Sequence, residues 1–171
     1  MKQKSSAAKP DLAEAEAELF LLEAFLPYRL SVATNRISRL FARRYCDAYG
    51  LSIPEWRVMA VIGRAGTLSP GRVAEWAAMD KVKVSRAAAS LVARGLLRQN
   101  ADPEDGRGRK LSLTRKGRGI HRGVIPLART LEAQLAAGLS PGEWQALGPI
   151  LDKLLAHVQA MEEGSPGAGI D

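Results

Sequence analysis

One stretch constrains this chain more than any other: Asp80 to Thr114, DKVKVSRAAASLVARGLLRQNADPEDGRGRKLSLT. Its first part has helical spacing. Val84, Ala88, Leu91 and Val92 fall on one stripe, while Lys81, Lys83, Ser85 and Arg86 lie largely off it, near the N-terminal end. Gly95 is expected to close this helix, because a residue without Cβ takes the left-handed conformation at least cost. Leu96 and Leu97 lead into a hairpin-like segment whose tip, Asp102 to Gly108, holds one Pro, two Gly, three acids and one Arg. Leu111 and Leu113 then alternate with Lys110 and Ser112, which is strand periodicity. Helix, strand, charged loop, strand: that order describes a winged helix-turn-helix with a two-stranded wing.

The elements before it complete the unit. In Leu51-Ser52-Ile53-Pro54-Glu55-Trp56, Ser52 can cap a helix, Glu55 can reach back to close the capping box, and Leu51 and Trp56 have the spacing of a hydrophobic staple. That helix should run to about Arg64 and stop by Gly66. Ser69 then caps a shorter helix with Pro70 at its first position, carrying Val73, Trp76, Ala77 and Met79.

Long helical patterns flank the unit. From Leu12 to Tyr49, Leu19, Leu22, Leu26, Leu30, Ala33, Ile37, Leu40 and Phe41 recur at spacings of three and four, with a break expected around Pro27. After Thr114, Ile120, Val124, Leu127, Leu131 and Leu135 share one side, and Pro126 marks a bend. Ser140 and Glu143, with Leu139 and Trp144, repeat the capping device before a last helix carrying Leu147, Ile150, Leu151, Leu154, Leu155 and Val158 to near Met161. The expected fold class is all-α with a small β-wing (α+β): a winged helix-turn-helix at 51–114 flanked by a helical dimerisation lobe from 12–50 and 115–162, with a basic tail at 1–11 and a second tail at 163–171. The apolar faces of the flanking helices are wider than one small lobe can cover, so a second copy is expected to complete their core.

Charge placement points to the partner. The 171-residue chain carries +7 overall. Lys81 to Arg118 holds eleven Lys or Arg against three acids, whereas Leu127 to Glu163 holds two against five. The positive charge therefore belongs to the winged segment, as a surface facing phosphates requires. Arg86 has the shape to read guanine O6 and N7, and Ser85 can take a base edge or a phosphate. Lys81 and Lys83 fit as phosphate clamps, while Asp80 is more simply a helix cap. Arg107, between two glycines, suits a narrow minor groove, and Asp105 is placed to pair with Arg107 or Arg109.

Other chemistries find little support. There is no nucleophile elbow, paired carboxylates or phosphate loop, so no catalytic residue is assigned. His121 and His157, without a cysteine pair, make a poor metal site, and neither metal nor cofactor is expected. The single cysteine, Cys46, excludes an internal disulfide framework and fits a reducing cytoplasm. No run approaches about eighteen uncharged apolar residues, and the polar start MKQKSSAAKP reads as no signal sequence, so a soluble protein without membrane contact is expected.

The run RGLLRQNADPEDGRGRKLSLTRKG, Arg94 to Gly117, resembles the wing signature of MarR-type bacterial transcriptional regulators, and SIPEWRVMAVI resembles their second helix. The likeness spans roughly Leu19 to Met161. It implies a bacterial, cytoplasmic homodimer of triangular outline that joins the nucleoid when bound. Its first and last helices would interlock at the apex, and its two winged lobes would bind a pseudo-palindromic operator in double-stranded DNA. It also implies a recognition helix at about Lys81 to Arg94. Asp105 would hold the wing, Arg107 would enter the minor groove, and Arg109 and Lys110 would add phosphate contacts. A small aromatic or phenolic effector releasing a repressor is implied as well, near Tyr28, Arg29, Arg36, Trp56 and Met59. The sequence departs from the peroxide-sensing members, whose reactive cysteine lies near the start of the first helix, whereas Cys46 lies near its end. The competing class is an architectural DNA-binding protein of low specificity. A third is a winged-helix module for protein interaction, against which the clustered positive charge counts.

Overall fold

The computed structural model describes residues 20–101 and 108–164. The segment 1–19, which includes the expected basic tail and the first residues of the N-terminal helical pattern, lies outside them. So do the wing tip at 102–107 and the C-terminal 165–171.

Pro27 starts a helix instead of bending one. A single 3-10 turn, Leu22–Ala24, precedes α1, Leu26–Tyr49, in whose first turn the proline sits, where its missing N–H costs nothing. Gly50 ends α1 in the left-handed region, with its N–H donating to the Cys46 carbonyl at 2.7 Å. Helix α2, Ile53–Ala65, begins at the expected capping box: the Glu55 N–H donates to Ser52 Oγ, and the Ser52 N–H donates back to Glu55 Oε2 at 2.7 Å. Leu51 is fully buried and Trp56 packs half-buried on the core, completing the staple.

Helix α3, Pro70–Ala77, is capped by Ser69, and α4, Lys81–Ala93, by Asp80, whose carboxylate accepts from the Lys83 N–H at 2.7 Å. Gly95, at φ +66°, closes α4 with a Schellman pair: the Leu96 N–H donates to the Leu91 carbonyl and the Gly95 N–H to that of Val92. Leu91 and Leu96 are both buried, so the cap is also a core contact.

The wing contains a strand that the sequence did not suggest. Thr67–Leu68 forms β1 and pairs with β3, Arg109–Leu113, which pairs in turn with β2, Leu97–Ala101, giving an antiparallel sheet of order β1-β3-β2. Two residues carry no readable periodicity, and only the tertiary register (Thr67 opposite Ser112) makes them a strand. Ser112, which alternates with Leu111 and Leu113, is nonetheless buried, and its hydroxyl accepts from Arg98 Nε across the sheet.

The core gathers Leu51, Val58, Met59, Ile62, Val73, Val84, Leu91, Leu96, Leu97 and Leu111, with Val124 from the long helix α5, Arg115–Ala136. Each fully buried aliphatic chain contributes roughly 1.5–3 kcal/mol. Two expected inward residues face out. Val92 lies on the exposed side of α4, where Ala87 takes its place, and Trp76 on α3 is exposed between Arg64 and Arg72, whose guanidinium carbons lie 6.0 and 5.5 Å from its ring centre. Pro126 lies inside α5. Helix α6, Pro141–Gly164, starts at the second capping box and runs three residues beyond the expected end at Met161. It buries no residue within one chain. Leu147, Ile150, Leu151, Leu155, Val158 and Met161 are exposed on it, as are Phe20, Leu21, Phe25 and Leu26 at the start of the chain's described part.

Candidate nucleic-acid interface

Helix α4 presents one face to the core and another to solvent. Val84, Ala87, Ala88 and Leu91 are buried, which turns Lys81, Lys83, Ser85 and Arg86 outward together. The positive end of the helix dipole and two lysines converge at the first turn. Lys83 Nζ lies 3.1 Å from the Asp80 carboxylate, but both are largely exposed. Such surface pairs are worth about 0–1 kcal/mol, so Lys83 can leave Asp80 for a phosphate at little cost. Hydrogen bonds from Lys83 hold the Asp80 carboxyl below its usual range.

The other end of α4 is held by a buried carboxylate. Glu55 Oε1 accepts from Ser90 Oγ at 2.6 Å and from Arg94 Nη1 at 3.2 Å, while its Oε2 serves the Ser52 cap. Burial alone would raise the Glu55 pKa. Hydrogen bonds from Ser90 and Ser52 and the charge of Arg94 outweigh it and hold the carboxyl below the usual range. Arg94 also donates from Nη1 to the Gly50 carbonyl and from Nη2 to that of Tyr49, each at 3.0 Å. One side chain therefore joins the ends of α1 and α4 to the start of α2. From the sequence Glu55 was legible only as a cap. Its partners stand thirty-five and thirty-nine residues away, and no local pattern signals them.

In the wing, Arg109 is exposed and Lys110 half-buried at the base of β3, whereas Asp105 and Arg107 lie outside the described residues. The Arg98 Nε donates to Ser112 Oγ at 2.9 Å across the sheet. Thr114 Oγ1 donates to the Gly95 carbonyl at 2.7 Å, pinning the wing to the cap of α4.

The residues expected around an effector are dispersed in the single chain. Met59 is fully buried, and Tyr28, Arg29 and Arg36 are exposed along α1. Of the five, Trp56 lines two hollows. One of about 190 Å³ is shared with Phe41, Tyr45 and Arg57, and another of about 350 Å³ with Ile125, Leu135 and Trp144. The Trp56 ring stacks on His121, with centroids 5.7 Å apart, and tilts against Tyr45 at 5.9 Å. Burial lowers the pKa of His121, and it pushes the Tyr45 hydroxyl up to about 12 against the nearby charge of Arg57. Among the described residues no cluster of His, Cys, Asp and Glu could hold a metal ion, and no helix is long and apolar enough to cross a membrane.

A capped helix with an outward cationic face, braced behind by two helices and beside by a three-stranded wing, defines a winged helix-turn-helix DNA-binding protein. A sequence model of the MarR family matches residues 49–108. Among solved structures, a MarR-family transcriptional regulator from Silicibacter pomeroyi is 30% identical, with 83% of this chain and 94% of that one covered at a TM-score of 0.68. Bordetella bronchiseptica BpsR, described for the regulation of its DNA binding by 6-hydroxynicotinic acid, is 27% identical over 75% of this chain and 97% of its own, with a TM-score of 0.69. A cysteine-to-serine mutant of E. coli MarR, complexed with operator DNA, shares the fold at 23% identity and a TM-score of 0.70, covering 79% of this chain and 98% of that one. No curated protein sequence matches. The chain belongs to the MarR family, and it is a non-enzymatic, DNA-binding transcriptional regulator.

Proposed function

We propose that this regulator is a homodimeric, sequence-specific repressor of a pseudo-palindromic operator, released by a small aromatic or phenolic ligand. The observation that carries the DNA-reading part is the shared outward face of Lys81, Lys83, Ser85 and Arg86 on a helix whose opposite face is buried. In this reading Arg86 and Ser85 read bases and the two lysines hold phosphates. Arg109 and Lys110 add backbone contacts from the wing, Arg107 enters the minor groove, and Asp105 fixes the loop that carries it.

The apolar residues left open on α6 and before α1 support the dimer, because a monomer would expose them to water. Residues 12–50 and 115–162 form the dimerisation lobe in this scheme, and 51–114 the reading unit. The effector part is supported by the hollows beside Trp56, lined by aromatic and aliphatic side chains where α1 and α5 meet the reading unit. It is also supported by the aromatic acid that regulates DNA binding in the BpsR relative. Tyr28, Arg29 and Arg36, on the exposed part of α1, would join that site from the same or the second copy, with Met59 as its buried floor.

Selection of binding sites from a random duplex pool tests the reading. Enrichment of a two-fold sequence with half-sites about 34 Å apart is expected. Recovery of no preferred sequence would replace it with the architectural alternative.

A further inference from the structure

A cavity of about 550 Å³ lies behind the wing, between its sheet, the end of α2 and the first turns of α5. The sheet face that packs into the core carries Leu97, Leu111 and Leu113, whereas Arg98 and Ser112, paired in register, face the other way. Arg118 and Arg122 enter from α5, one turn apart, so three guanidinium groups border one cavity. Among the described residues no carboxylate lines it, and none of the three arginines forms an ion pair.

Each guanidinium is oriented by a neutral acceptor and keeps its charge. Arg98 Nε donates to Ser112 Oγ at 2.9 Å, Arg118 Nη1 to the Leu113 carbonyl at 2.8 Å, and Arg122 Nε to the Arg118 carbonyl at 3.4 Å. All three side chains reach solvent at the mouth of the cavity, where water screens their mutual repulsion and an arriving anion meets all three. The C-terminal end of α2 also borders the cavity. Its partial negative charge, roughly half an elementary charge, opposes an anion but is outweighed by three full positive ones.

The rest of the lining is Ile62, Leu113 and Ile125, with Gly63, Gly66 and Thr67. His121 closes one side. It lies so near Gly63 that a Cβ there would overlap the imidazole, and its ring stacks on Trp56 at 5.7 Å. The volume is that of a small-molecule site.

We propose that this cavity binds a small organic phosphate, a monoester whose dianion meets Arg98, Arg118 and Arg122 and whose carbon portion lies on Ile62, Leu113 and Ile125. Planar guanidinium forks match phosphate oxygens, and three of them call for more than the single charge of a simple carboxylic acid. The site adjoins the larger Trp56 hollow, with which it shares Ile125, and lies away from the outward face of α4. It rests on no part of the proposed repressor mechanism.

The chain contains two histidines, His121 beside the cavity and His157 on α6, so their imidazole C2–H proton resonances provide a probe and an internal control. The full-length protein is titrated at constant pH with phenyl phosphate, with inorganic phosphate, with benzoate and with a short DNA duplex. Phenyl phosphate should shift the His121 signal saturably and leave His157 in place. Inorganic phosphate should give the same shift more weakly, and benzoate should bind at least about tenfold more weakly than phenyl phosphate. Arg122→Gln and Arg118→Gln should each weaken phenyl phosphate by about tenfold or more, while Arg72→Gln, a matched loss of charge on α3, should not. Among the described residues Arg122 makes only a long contact within its own helix, so that variant tests the site even if Arg118→Gln disturbs the wing.

No saturable His121 shift, or unchanged affinity in folded Arg122→Gln, overturns the proposal. Benzoate binding as tightly as phenyl phosphate, and weakened equally by Arg122→Gln, overturns the phosphate assignment. A duplex that shifts His121 while phenyl phosphate fails to compete makes the arginines a contact for the DNA backbone instead.

Discussion

Arg94 and Glu55, thirty-nine residues apart, form the ion pair that joins the end of α4 to the start of α2, Nη1 to Oε1 at 3.2 Å. The same guanidinium holds the last carbonyls of α1, so the pose of α4 relative to α1 runs through one side chain. Arg94→Ala leaves a buried carboxylate without its cation and two carbonyls without a donor. A loss of about 1–3 kcal/mol is expected in urea unfolding, after discounting for the partly exposed guanidinium. Arg94→Lys should recover only part of it, since a point charge cannot serve three acceptors in a fork.

The pH dependence of that pair has a definite sign. Glu55 is held below its usual value of 4.5 in the folded chain, so the unfolded chain binds the extra proton first. The stabilisation is complete above about pH 4.5 and is lost as pH falls through the lower, folded value. Glu55→Gln should therefore cost stability at pH 7 and cost less at pH 3. Equal costs at both pH values in chemical denaturation would show that the carboxylate charge is not what holds α4.

Helix and wing should fail differently in DNA binding. Arg86→Ala is expected to cost about 1–3 kcal/mol on a selected operator and much less on scrambled duplex. Lys83→Ala should weaken both almost uniformly and reduce the salt slope by about one unit. Arg107→Ala should weaken binding to both, and more where the flanks are A·T-rich. Fluorescence anisotropy across a salt series separates the three. Equal losses for Arg86→Ala on both duplexes would mean a charged surface without base reading.

The open face of α6 predicts the oligomer. Sedimentation should give twice the 18.4 kDa chain mass, and Ile150→Glu with Leu155→Lys should shift the protein to the single-chain mass while its far-ultraviolet spectrum stays helical. A wild-type protein sedimenting only as one chain at micromolar concentration sinks the dimer.

Cys46 is exposed on α1, and the chain has no second cysteine to resolve a sulfenic acid within itself. Peroxide should release wild type and Cys46→Ala from DNA equally little. Release of the wild type alone would make this thiol a switch.

What the sequence determined by itself was local in origin. Ser52 with Glu55, Ser69 with Pro70, Asp80, Gly95 and Ser140 with Glu143 declare the helix ends because each cap involves residues within about one turn of each other, and the core stripe of α4 follows from a 3.6-residue period. Leu111 and Leu113 declared the wing in the same way, through a period of two. Tertiary structure alone decided what depends on residues meeting across the chain. Thr67 and Leu68 become a strand only because β3 offers an unpaired edge. Ser112 becomes buried where the sheet, the Arg98 side chain and α5 come together. Glu55 becomes a brace and not merely a cap because Ser90 and Arg94 arrive beside it. Arg98, Arg118 and Arg122, which read separately as surface charge, converge on one cavity for the same reason: a side chain's partner is set by packing between elements, and sequence spacing carries information only within one.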